Sequence, residues 1–183
     1  MKEVIDTGRF DYEAAANSAG WMRELEGEHT PETEEYGISS FIYRARRPFD
    51  AAKLMDAFSA EELWDGVLRS KGFFWVSAAP HLAYEWSQAG GAANVEAGGQ
   101  WYAATDPADW ELEGDERPDE QPNWDPTWGD RIQELVFIGQ GLEEPSIRAK
   151  LDACLVPDDG RGPAELAAAA GPNPFAPANE LVN

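Results

Sequence analysis

The chain has 183 residues, one domain's worth with room for flanking arms. Hydrophobic residues make up 43% and aromatics 11%, with 8 Trp, so there is enough apolar surface for a core and global disorder is excluded. With 35 Asp and Glu against 14 Lys and Arg the formal net charge is −21, which disfavours nucleic acid, because binding a polyphosphate needs a surplus of cations to release counterions.

Residues 1–35 are polar and acidic and read as an N-terminal linker or arm, with one amphipathic turn around Trp21, Met22 and Leu25. "YGISSFIYRARRPF" follows, rich in aromatic and β-branched residues, and predicts a strand from Ile38 to Ala45 that Pro48 stops. Asp50 is placed to cap a helix, and Ala51, Leu54, Met55 and Phe58 recur at helical spacing behind it. Next comes "RSKGFFWVSA". Alternation along a strand puts Arg69, Lys71, Phe73 and Trp75 on one face and Leu68, Ser70, Phe74 and Val76 on the other.

"HLAYEWSQAG" and "GQWYAA" predict two further strands, with a shorter one at "AANVEAG" between them and turns at the Gly pairs 90–91 and 98–99. Residues 105–130 form a long acidic, Pro-rich loop in which Trp110, Trp124 and Trp128 are isolated anchors. "DRIQELVFIGQGL" predicts a strand from Arg131 to Gly139. Arg131, Gln133, Leu135 and Phe137 share one face, Ile132, Glu134, Val136 and Ile138 the other, and the apolar character of both argues for a central position. Pro145 suits the first turn of a second helix, whose stripe is Ile147, Leu151, Cys154 and Leu155. Residues 157–183 read as a flexible tail with Phe175 as an anchor. The order β-α-β-β-(β)-β-α gives an α+β, ferredoxin-like antiparallel sheet of four to five strands with two helices on one face.

The most informative face is Arg69, Lys71, Phe73 and Trp75. It resembles the RNA-reading strand of an RRM, with Lys71, Gly72, Phe73 and Val76 in place, and it also suits an anionic ligand or, ahead of RNA, a second protein surface. The competing structural reading packs these aromatics under the acidic loop or the arm, with the cations paired to carboxylates there. His81 and Glu85 are weak candidates for metal ligation, because four residues apart on a strand is a long span. Cys154 is a core residue, and as the sole cysteine it allows no intrachain disulfide. G-x-S-x-G and G-x-x-x-x-G-K-[ST] do not occur, so no nucleophile elbow or phosphate loop is present in these residues and no catalytic residue is assigned. No apolar run approaches the ~18 residues of a membrane span, and the first residues lack a signal-peptide core, so a cytoplasmic setting is expected.

Taken in order, "EEYGISSFIYRARRPFD", "GVLRSKGFFWVS", "WSQAGG", "WDPTWGDRIQELVFIGQGL" and "LDACLV" resemble the C-terminal domain of the CobW-type, G3E-family GTP-binding metallochaperones, over residues 34–156. "GPAELAAAAGPNPF" resembles the family's tail more weakly, and "VIDTGRFDYEAAANSAGW" resembles the stretch that joins the GTPase half to this domain. The resemblance implies that GTP hydrolysis, magnesium and the C-x-C-C zinc site belong to an N-terminal half that these residues do not contain. They are then an excised domain, a truncated reading frame or a separate subunit, with no cofactor of their own. It also implies a non-catalytic regulatory or client-binding domain. Its partners would be the family's GTPase domain, in cis or trans, and a client metalloprotein, with no membrane. Arg69, Lys71, Phe73 and Trp75 would form part of the contact surface. The alternatives are an RRM-like module for single-stranded nucleic acid and a small metal-binding protein.

Overall fold

A computed structural model describes residues 37–110 and 117–176. The N-terminal arm with its expected turn at Trp21, the middle of the acidic loop and the last seven residues lie outside the described residues. Five strands form one sheet: β1 (Ile38–Ala45), β2 (Val67–Phe74), β3 (Leu82–Ala89), β4 (Ala92–Gln100) and β5 (Gln133–Gln140). Their spatial order is β1-β5-β2-β3-β4, and every neighbouring pair is antiparallel. β5 therefore sits between β1 and β2, as its two apolar faces suggested. Helix α1 (Ala51–Ser59) connects β1 to β2, and α2 (Glu144–Cys154) follows β5. This is the split β-α-β arrangement of an α+β fold.

Sequence chemistry sets the helix starts. The Asp50 carboxylate accepts from the Ala52 and Lys53 N–H groups at 3.0 and 3.1 Å, which is worth about 1 kcal/mol at an N-terminus. Pro145 occupies the first turn of α2, where its missing N–H costs nothing. Ala51 and Leu54 of α1 and Ile147, Leu151 and Cys154 of α2 are buried against the sheet. The sheet contributes Phe41, Tyr43, Phe74, Tyr84, Trp86, Leu135 and Phe137 to the same core. Its rings interlock: Phe41 stacks on Phe137 at 5.1 Å, Phe74 on Tyr84 at 5.5 Å and Phe58 on Trp86 at 4.0 Å.

One glycine is dictated by this packing. Gly72 of β2 lies so close to β5 that a Cβ there would sit 2.0 Å from the Glu134 carbonyl oxygen. The K-G-F pattern thus reflects strand approach, with no ligand required.

Three expectations are corrected. "AANVEAG" is no short strand but the start of nine-residue β4, which continues through Gly98 and Gly99; only the Gly90–Gly91 pair turns the chain. "GQWYAA" is not a separate strand. Trp101 turns inward, donating its indole N–H to the Leu82 carbonyl at 2.9 Å, and Tyr102–Ala104 form a 3-10 turn. The segment beyond residue 157 carries a third helix, α3 (Pro163–Ala169), started by Pro163 and by Glu165 accepting from the Gly162 N–H at 3.0 Å. Leu166 of α3 is buried. Phe175 does anchor the segment, against Phe74, Tyr84 and Phe58, while Asn173 donates to the Tyr84 hydroxyl at 2.8 Å.

Candidate functional site

The helices cover one side of the sheet and leave the other open. The strand registers build three rows across that open side. Ser40, Ile138 and Arg69 form one; Ile42, Val136 and Lys71 the next; Arg44, Glu134 and Phe73 the third. Ile42, Phe73 and Ile138 are 39%, 39% and 37% exposed, and Leu68, beside the β2 bulge, is 53% exposed. Arg44 is held by Glu134 at 2.7 Å. Arg69 and Lys71 are exposed and form no ion pair with any described residue. The result is an apolar patch with two uncommitted cations among the described residues, on a chain of net charge −21.

Three of the four residues expected on this face are therefore there. Trp75 is not: it is fully buried. β2 ends at Phe74, so the alternation that would have carried Trp75 onto the open side stops one residue short. Its indole N–H donates to the Arg46 carbonyl at 3.1 Å, and its ring lies 5.6 Å from Trp128 and under the Arg131 guanidinium at 5.7 Å. Phe73 stays at the surface with its edge toward Trp101 at 6.2 Å. Of the aromatic pair that made the strand look RRM-like, one ring remains to stack on a base.

What covers Trp75 is the second half of the acidic loop, built by hydrogen bonds. The Asp125 carboxylate accepts from the Thr127 and Trp128 N–H groups at 2.8 and 2.9 Å. Asp130 accepts from the Tyr102 and Ala103 N–H groups, both at 2.9 Å. Arg131 is buried and donates to the Pro80 and Trp128 carbonyls at 2.6 and 3.0 Å; burial lowers its pKa from the usual arginine value. Gln133 is fully buried. Its amide oxygen accepts from the Trp75 N–H at 2.9 Å, and its amide nitrogen donates to the Arg47 and Trp75 carbonyls at 2.8 and 3.0 Å. Sequence reasoning missed these roles, although a Gln on the inward face of "RIQELVF" was a visible signal, since a buried amide needs partners.

The weak metal pair is not brought together. His81 precedes β3 and Glu85 lies inside it, about 13 Å apart at strand rise. No group of three or more His, Cys, Asp or Glu side chains among the described residues could hold a metal ion. Cys154 is buried, and that burial pushes its thiol pKa up, the opposite of what a nucleophile needs. No helix among the described residues is long and apolar enough to cross a membrane.

Residues 38–155 match the family described as the cobalamin synthesis protein cobW C-terminal domain. A protein named zinc-regulated GTPase metalloprotein activator 1, from Dictyostelium discoideum, is 41% identical over 160 residues, covering 86% of this chain and 34% of that protein. A zinc chaperone of Mycobacterium tuberculosis is 31% identical over 120 residues, covering 64% of this chain and 29% of its own length. The chain thus spans about a third of these relatives. Among solved structures, the Zn(II)-bound YjiA GTPase from E. coli aligns with a TM-score of 0.48 at 21% identity, covering 70% of this chain and 33% of that one.

Proposed function

Because the chain belongs to the family of cobW C-terminal domains, we propose that it is the non-catalytic, protein-binding domain of a GTP-dependent zinc metallochaperone. It docks on the GTPase half, in cis or in trans, and presents a surface to a client metalloprotein. The names of the relatives, a zinc-regulated GTPase metalloprotein activator and a zinc chaperone, support this reading. The observation that carries it is the open sheet side, where Ile42, Phe73, Ile138 and Leu68 are exposed beside Arg69 and Lys71. Exposed apolar patches rimmed by charge mark protein-binding surfaces. On this reading GTP, magnesium and zinc are handled by the GTPase half. The described residues do not fit a zinc site of their own, and a tight, stoichiometric zinc isotherm from this chain would overturn that assignment.

The direct test is a titration of the chain with the GTPase half of a family member. Arg69→Glu combined with Lys71→Glu should weaken binding at least tenfold with the circular dichroism unchanged, and Phe73→Ala should weaken it further. Unchanged affinity in both variants would remove the open face from the reading. Salt-sensitive binding of a single-stranded RNA at equal strength would favour the nucleic-acid alternative.

A further inference from the structure

The two edges of the sheet are treated differently. At the β1 edge, the Ile42 carbonyl is taken by the Arg148 guanidinium at 2.8 Å, and Arg44 adds a charge. Such devices stop unwanted strand pairing. At the other edge, β4 reads Ala-Ala-Asn-Val-Glu-Ala-Gly-Gly-Gln, with no Pro, Lys or Arg and one charge, Glu96. It is almost wholly exposed and pairs only with β3 among the described residues.

The two-residue turn at Gly90–Gly91 makes Ala89 and Ala92 the first hydrogen-bonded pair. Antiparallel pairs alternate from there, so Ala93, Val95 and Ala97 turn their N–H and C=O groups away from β3. The same three side chains border a groove of about 660 Å³ floored by Trp86 and Phe58 and walled by Phe175. An added strand would find backbone partners along the edge and an apolar slot for alternate side chains on the helix side. On the open side, Glu85 and Glu96 stand directly opposite each other and both are exposed. Like charges in that register repel, and a cation beside Glu96 would relieve them.

We propose that β4 is a docking edge for an extended, cationic segment of a partner protein in which apolar residues alternate with Lys or Arg. The segment adds as a sixth strand, with its apolar residues over Val95 and Trp86 and its cations beside Glu96. A second copy of this chain is the wrong occupant, because two chains of charge −21 would bring their Glu96 carboxylates together. This edge is separate from the Arg69, Lys71 and Phe73 surface, so the loss of one leaves the other standing.

The test uses the full chain and an octapeptide of alternating lysine and valine. Amide exchange should slow at Ala93, Val95 and Ala97. Val95→Pro removes an outward N–H without cutting the β3 ladder and should weaken binding at least tenfold. Glu96→Lys, which sets an opposite charge against Glu85 and so does not endanger the fold, should weaken it several-fold. A peptide of the same composition in two blocks, or one with glutamate for lysine, should not protect these amides. Protection elsewhere, equal binding of the acidic peptide, dimerisation through β4 in sedimentation, or no binding at millimolar peptide would each overturn the proposal.

Discussion

Two buried regions of this domain are held by different forces. Under the helices the core is rings and aliphatic side chains, Phe41 on Phe137 and Phe58 on Trp86. Past the ends of β2 and β5, Trp75 is just as buried, but its surroundings are fixed by hydrogen bonds: Gln133, Asp125 and Asp130 accept from backbone N–H groups and Arg131 donates to backbone carbonyls. Burying apolar surface is non-directional and tolerates imprecise neighbours. A buried backbone N–H tolerates little, because leaving it unpaired costs its full desolvation. Neither force is satisfied on the open side, where Arg69, Lys71 and Phe73 stand exposed.

Substitutions can break the contrast. The largest effect belongs to neither side chain set but to the seam between strands. Gly72→Val drives a Cβ into the Glu134 carbonyl, with no flexible atom to yield, and should cost about 4 kcal/mol or more or abolish cooperative folding in urea. A cooperative transition within a kcal/mol of the parent would show that β2 and β5 can separate. Phe74→Ala, on the helix side, should cost about 3–4 kcal/mol by transfer and cavity terms. Gln133→Leu keeps volume but strands the Trp75 N–H, and should cost about 2 kcal/mol. The sharper readout is its tryptophan emission: it should shift toward the exposed-indole wavelength before the global transition, whereas Phe74→Ala should shift both together. Coincident transitions in both variants would mean the loop is part of the same cooperative unit.

The sequence was legible where periodicity ruled. β1 came out at its boundaries, and α1 and α2 began where Asp50 and Pro145 placed them, because a cap, the stop at Pro48 and a first-turn proline are local signals. β4 was underestimated because Gly98 and Gly99 look like a turn, yet an edge strand has no outer neighbour to demand side chains. Trp75 was misplaced because alternation was extended one residue beyond a strand end that the Gln133 clamp and the Phe49 backbone define. In the acidic loop nothing set Asp125 and Asp130 apart from the other acidic residues, yet each carboxylate collects two backbone donors. The Asp125 donors are local, in a turn of its own loop, but those of Asp130 lie across the fold, and composition carries no trace of them. The open face was read from strand parity alone, which is why three of its four residues stand where they were placed.

The smallest effect tests the helix side for a polar dependence that its rings conceal. Tyr43 is 1% exposed and donates its hydroxyl to Asp152 on α2 at 2.8 Å. Burial first, then that hydrogen bond and the carboxylate's charge, raise its pKa well above the ordinary 10.0. An unfolded chain therefore ionises this phenol at a pH where the folded one does not. Its contribution to stability is complete below pH 10.0 and drains away as pH rises from there toward the raised folded value. Tyr43→Phe keeps the ring and should cost about 1 kcal/mol near neutrality. Above the tyrosine range the parent should lose up to about 1.4 kcal/mol per pH unit that the variant does not, so the gap between them should close and then reverse. Urea titrations of both proteins from neutral pH into the alkaline range check this. A gap that stays constant would mean that the phenol ionises in the folded state as readily as in the unfolded one, and that the β1–α2 contact is held by its apolar atoms alone.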